Sequence, residues 1–262
     1  MPAIRSALLG LGLLAAGLVG AAIPGNTSAA AAEFTPAQRT EMGGVIRDYL
    51  LQNPEVLQDA MAELERRQKA QEEAKRGQVV DNSSSELFNS PNDVVLGNPK
   101  GKVTLVEFFD YNCGFCKRSL DDVAKLMKTE PDLRLVLKDF PVLGPGSVEA
   151  AYIAGAARSQ FKGDQFWQFH AKLLASHGPV GKTQALAVAK DMGANMDQLA
   201  KDAASPEVKS TIQGTMRLAD ALALTGTPSF VVGKDVVVGA VGYDELKDRV
   251  DSVLKCGKAF CS

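Results

Sequence analysis

The sequence predicts an α/β fold with a block of helices spliced into it and a helical extension ahead of it. Three observations lead there. From Val94 onward, apolar runs of strand length alternate with amphipathic stretches. Between residues 147 and 224 the alternation stops and helical spacing runs on, with Gly or Pro at the joints. Ahead of both, residues 35–76 carry apolar positions at helical spacing and then a charged, solvated end.

Taken in order, the chain opens with Arg5 in a short basic start, an almost uncharged run over residues 7–23, Pro24, and an alanine-rich stretch ending in SAAAAEF. That is the layout of a secretory signal peptide over residues 1–32, with cleavage between residues 29 and 33. Gly10, Gly12, Gly17, Gly20 and Pro24 leave a core shorter than the roughly 20 strongly apolar residues of a spanning helix, so removal is expected rather than anchoring. No later apolar segment is long enough to span, and a periplasmic mature chain is expected.

Residues 33–76 form the helical extension. Met42, Val45, Ile46, Tyr49 and Leu50 share one face, Asn53-Pro54 restarts the pattern, and Val56, Leu57, Ala60, Met61 and Leu64 continue it. Leu50, Leu57 and Leu64 recur every seven residues, a short coiled-coil seam. Self-association through residues 35–76 into a homo-oligomer is therefore expected ahead of packing on the chain's own domain. Residues 77–92, with DNSSS and NSPND, read as a linker.

Residues 93–255 form the α/β domain. VVLG and KVTLVEFFD are strands, the second a continuous apolar run of the kind buried on both faces. A helix follows over residues 117–128, then the strand LRLVLKDFPV. The helical insertion over about residues 145–225 contains SVEAAYIAGAARSQF, DQFWQFHAKLLAS, KTQALAVAKDM and PEVKSTIQGTMRLADALAL. PSFVVG and DVVVGA make a hairpin around Gly233-Lys234, YDELKDRVDSVLK closes the domain as an amphipathic helix, and residues 256–262 are a tail.

Composition narrows the function. The 262 residues carry a net charge of -2 with both signs interspersed, which leaves no nucleic-acid footprint. Without the leader, roughly 230 residues remain, which reads as one large domain or as one domain with an appendage. Four cysteines are too few for a disulfide scaffold and come as two close pairs, Cys113/Cys116 and Cys256/Cys261.

Cys113 stands where a strand ends and a helix begins, so the free amides and dipole of the first turn favour a thiolate there. Cys116, one turn on and more shielded, is placed to close a disulfide back onto it: attacking and resolving roles. A zinc site would need Cys256 and Cys261 as the second ligand pair, but zinc pairs sit on knuckle-like turns rather than at the end of a buried strand, and no histidine is near in sequence. A structural bridge three residues apart closes too small a loop to stabilise much. A redox pair is the best reading, with no metal and no cofactor required. Glu107 is a carboxylate inside an apolar strand, costly to bury unless neutral or useful, and the alternative is a sheet edge open to water. Cys256 and Cys261 read as a tail disulfide. SHGPVGKT imitates a phosphate loop but has Ser176 where the first glycine belongs. His170 and His177 lack ligand-spaced partners and read as packed or solvated. Phe161, Phe166, Trp167 and Phe169 read as core of the insertion ahead of a groove lining.

VEFFDYNCGFCKRSL, followed about a hundred residues later by TGTPSFVVG with a helical insertion between, resembles the DsbA-like branch of the thioredoxin superfamily. The resemblance spans about residues 87–255 and implies a thioredoxin fold. It implies that Cys113 attacks, Cys116 resolves, Thr227 and a cis Pro228 bind substrate backbone, and Glu107 moves protons. On base rates alone Thr227-Pro228 would be trans. The best-known oxidase of the family has Pro-His between its cysteines and Val before the cis-proline, where this chain has Gly114-Phe115 and Thr227. Losing that histidine makes the pair less oxidising. The Gly-aromatic dipeptide with Thr-Pro is similar to that of the isomerases DsbC and DsbG, and the extension resembles that of ScsC proteins linked to copper tolerance and of Com1-like proteins. The resemblance thus implies a disulfide isomerase or reductase acting on exported cysteine-bearing clients, with a membrane redox partner of DsbD or DsbB type. A DsbA-type oxidase and a periplasmic Cu(I)-binding protein using the same two thiols are the alternatives.

Overall fold

A computed structural model describes residues 34–261; the expected signal peptide lies outside the described residues. The chain divides into two units at Asp59 and Ala60. In the first, α1 (Pro36–Gln52) starts at Thr35, whose hydroxyl caps the helix in a capping box with Gln38, with Pro36 supplying a preset first-turn φ. No residue of α1 is buried, and Met42, Val45, Ile46 and Tyr49 stand exposed. A second helix, α2 (Glu55–Asn82), restarts after Asn53 and Pro54.

The linker expected over residues 77–92 is corrected by the structure. Helix α2 continues through Gly77 to Asn82, and α3 (Ser84–Phe88) follows after a single break. The reason is burial: Val80 and Leu87 are 2% and 0% exposed and join an apolar cluster with Val106, Phe108, Leu218 and Leu222. That contact outweighs the turn-like composition of DNSSS.

The second unit is built on a five-stranded mixed sheet: β1 (Val94–Gly97), β2 (Val103–Phe109), β3 (Leu133–Asp139), β4 (Ser229–Val232) and β5 (Asp235–Val238), in the order β1-β3-β2-β4-β5. Only β2 and β3 run parallel; the register sets Glu107 beside Leu137 and Phe109 beside Asp139. On its other side β2 pairs antiparallel with β4, Phe108 facing Ser229. The strand β2 is buried almost throughout because both faces are covered. One face, with Leu105 and Phe109, packs in the main core against residues of α4 (Gly114–Thr129) and α10 (Tyr243–Cys256), among them Val123, Leu126, Leu246 and Val250. The other, with Val106 and Phe108, meets Val80, Leu87, Leu218 and Leu222. Inside that second layer Lys138 and Asp93 pair at 2.8 Å with both side chains 3% exposed, and Lys138 also donates to the Glu86 carbonyl at 2.8 Å.

Between β3 and β4 run α5 (Pro145–Ala157), α6 (Asp164–Leu174), α7 (Lys182–Asp191), α8 (Met196–Ala203) and α9 (Pro206–Ala221). Phe161, Phe166 and Phe169 are buried here, as the core reading expected. His170 is buried too, its Nδ1 3.3 Å from the Tyr111 hydroxyl, and burial holds its pKa down at about 3. The tail is tied by a Cys256–Cys261 disulfide, in agreement with the expectation.

Candidate active site

The site forms where β2 ends. Apolar burial fixes β2 as far as Phe109, and the DYNC turn then delivers the chain into α4 with Cys113 as its N-cap residue. Asp110 makes that turn. Its Oδ1 accepts from the Asn112 N–H at 2.7 Å and the Ser147 hydroxyl at 2.7 Å, and its Oδ2 from the N–H groups of Val142 and Leu143 at 2.8 and 2.9 Å. The Cys113 N–H closes the turn onto the Asp110 carbonyl at 3.0 Å.

At the N-cap, a serine or threonine oxygen would normally accept from the first free amides of the helix. Here a sulfur does so: the Cys116 N–H donates to Cys113 Sγ at 3.4 Å. The Cys113 thiol in turn donates to the Thr227 carbonyl at 3.0 Å. Thr227 and Pro228, joined by a cis peptide bond, lie there because the antiparallel register brings the start of β4 to the end of β2. The two cysteines are unpaired, with Cys113 5% and Cys116 0% exposed. Burial drives the Cys116 thiol well above its usual range, and the neighbouring Glu107 carboxyl adds to the shift. Phe115, between them, is exposed under the Arg118 guanidinium, 4.1 Å from its ring centroid.

Glu107 lies in the sheet rather than at an open edge, 3% exposed, and burial raises its pKa to about 8. It shares the α4-facing side of the sheet with Asp139, one strand over, whose burial raises its pKa to about 7 and whose Oδ1 has no hydrogen-bonding partner among the described residues. The structure therefore brings Cys113, Cys116, Glu107, Thr227 and Pro228 together. His177 stands exposed on the loop between α6 and α7, and Cys256 and Cys261 are joined to each other. Sequence reasoning missed Asp110, Asn112 and Ser147. An Asp and an Asn in the turn immediately before a helix-capping cysteine are the available signal.

Chemically, an N-capping thiol over free amides, a buried partner thiol one turn away and a carboxyl poised to hold or release a proton near neutrality form a two-electron thiol-disulfide centre. The comparisons point the same way. The description "DSBA-like thioredoxin domain" matches residues 104–251, more than half of the chain, and "Copper resistance protein ScsC N-terminal domain" matches residues 38–71. A thioredoxin-like oxidoreductase from Silicibacter pomeroyi superposes with a TM-score of 0.62 at 44% identity, covering 66% of this chain and 98% of its own. A periplasmic thioredoxin-like protein from Salmonella enterica serovar Typhimurium gives a TM-score of 0.58 at 29% identity, covering 66% and 95%. Disulfide bond formation protein D of Bacillus subtilis is 26% identical over 62% of this chain and 77% of its own length. The first curated relatives are longer: this chain spans 24% of the Na(+)/H(+) antiporter NhaA 1 of Salinispora arenicola, at 29% identity.

Proposed function

On the premise that the chain belongs to the DsbA-like thioredoxin domain family, we propose that it is an exported thiol-disulfide exchange protein working mainly as an isomerase and reductase. The observation that carries this is the unequal environment of the two thiols. Cys113 has its sulfur over the first-turn amide of α4, whereas Cys116 is fully buried with its thiol held protonated by burial and by Glu107. The Cys113 thiolate attacks a client disulfide; one client sulfur leaves as a thiolate and takes a proton, and a mixed disulfide remains. A second client thiolate then attacks the client sulfur of that bond, regenerating the Cys113 thiolate, which is isomerisation. Alternatively, in the minority of chains in which Glu107, ionising at about 8, is already a carboxylate, Cys116 passes its proton to it and attacks Cys113 Sγ. The client then leaves reduced and the Cys113–Cys116 disulfide holds the oxidising equivalents, which is reduction. Because Cys116 gives up its proton reluctantly, the mixed disulfide lives long enough for the first branch to compete.

Gly114-Phe115 supports the same direction, since it puts no cation between the cysteines to stabilise the reduced pair. A cycle of this kind needs an outside reductant for Cys113–Cys116, a membrane partner of DsbD type, and a periplasmic setting in which exported, cysteine-bearing clients are met. The exposed apolar residues of α1, followed by Leu57, Met61 and Leu64, support a homo-oligomer formed through residues 35–76, which would present several sites to one client. Reactivation of a scrambled-disulfide client by catalytic amounts of the mature protein, in a redox buffer without added oxidant, tests the proposal. Turnover supports isomerase; no turnover, with oxidation of a reduced client instead, refutes it in favour of a DsbA-type oxidase. Titrating the reduced protein with Cu(I) separates the metal-binding alternative, which requires tight binding that abolishes exchange.

A further inference from the structure

The turn that carries the cysteines is held from outside its own strand and helix. The Asn112 side chain forms a two-way pair with the backbone of Val180, accepting from its N–H at 2.7 Å and donating to its carbonyl at 2.8 Å. Its amide also donates to Ser147 Oγ at 3.0 Å. On the far side of the pair, Lys117 Nζ donates to the Ser176 carbonyl at 2.8 Å. Ser176 and Val180 belong to one short loop between α6 and α7. That loop is pressed against the start of α5: a Cβ on Gly146 would meet the Val180 carbonyl oxygen at 2.9 Å. Thus the residue before Cys113 and the residue after Cys116 are tied to the same piece of the helical insertion.

Such a tie matters because the first-turn amides favour a thiolate only while the sulfur keeps its capping position. The turn is also anchored by the Cys113 thiol on the Thr227 carbonyl and by the Asp110 carboxylate, which holds Asn112 by its backbone rather than its side chain. We propose that Asn112 and Lys117 are positioning residues that brace the Cys113–Cys116 turn on the loop of residues 175–181, so that the helical insertion sets how firmly the start of α4 holds the Cys113 thiolate. This rests on the exchange chemistry assigned to Cys113 above.

The test uses the full chain and two readouts that need no client: the equilibrium of the Cys113–Cys116 pair with glutathione, and the rate at which iodoacetamide alkylates reduced Cys113 at pH 7. Asn112→Ala is expected to raise the oxidised-to-reduced ratio at fixed glutathione by about threefold to tenfold and to slow alkylation by a similar factor, the range of a lost helix-terminus interaction. Lys117→Met should act in the same direction and more strongly than Lys117→Gln, which loses the charge but keeps a donor for Ser176. Ser176→Ala removes only a hydroxyl that donates to the Lys172 carbonyl and leaves the Asn112–Val180 pair and the carbonyl used by Lys117 in place, so it is expected to stay within about twofold of the parent. Variants that melt lower but leave both readouts unchanged would make the contacts merely structural and overturn the proposal. So would Ser176→Ala matching Asn112→Ala. A parent chain that exchanges no client disulfides defeats the functional proposal alone, because neither readout depends on a client.

Discussion

Replacing Glu107 by leucine should remove an alkaline weakness from the fold. Unfolded, this glutamate ionises near 4.5; folded, burial raises it to about 8. Between those values the folded chain keeps a proton that the unfolded chain has released, so raising the pH pulls toward unfolding. The stability linked to this proton is full below about pH 4.5 and is lost as the pH climbs through about 8. The interval is worth about 5 kcal/mol as a ceiling, falling at about 1.4 kcal/mol per pH unit in the middle of the range. His170 titrates in the opposite sense, losing stability as the pH falls below its unfolded value of 6.5, but parent and variant share it and it cancels in their difference. The assay is urea unfolding of the oxidised parent and of Glu107→Leu at intervals from pH 5 to 9. The variant's advantage is expected to grow with pH and level off above about 8. A difference that stays flat across that range would refute the burial argument, and with it Glu107's role as proton holder for Cys116.

The remaining predictions concern the thiols, the ion pair, the tail and the extension. Cys113→Ser should abolish exchange, and Cys116→Ser should accumulate mixed disulfides detectable by mass spectrometry of acid-quenched reactions; a Cys113→Ser variant exchanging at the parental rate contradicts the assignment. Lys138→Met strands Asp93 in the second layer and should cost about 3 kcal/mol in urea unfolding, most of it recovered in Lys138→Met/Asp93→Leu. Replacing both Cys256 and Cys261 by alanine opens only a small loop, so stability should fall by about 2 kcal/mol or less while exchange rates stay at the parental level. Deleting residues 34–59 should lower the mass measured by light scattering to that of a monomer and reduce isomerisation more than it reduces simple reduction of a small disulfide.

Much of this was legible because the strongest signals are local. TLVEFF could bury both faces only as a central strand, and β2 is that strand; the hairpin at Gly233 and the closing amphipathic helix followed from period and turn chemistry in the same way. Cys113 and Cys116 were legible because a helix start after a strand is itself a chemical environment. What was hidden depends on distant partners. The segment DNSSSELF has a linker's composition, and nothing near it in sequence announces that Val80 and Leu87 find an apolar layer supplied by β2 and α9. Likewise Asn112 looked like an ordinary turn residue, since its partners Ser147 and Val180 lie 35 and 68 positions away. The division of the helical block into α7, α8 and α9 was blurred for a related reason: alanine-rich helices separated by short turns leave a weak periodic break.

The antiparallel pairing of β2 with β4 has an architectural consequence. Cys113 and Thr227 are 114 positions apart, yet they touch because the end of one strand is registered against the start of the other. Helices spliced between β3 and β4 can lengthen, shorten or change without moving that junction, provided Ser147 and the loop of residues 175–181, which brace the cysteine turn, are kept. The sheet is thus a fixed mount, and the insertion apart from those bracing residues an interchangeable fitting.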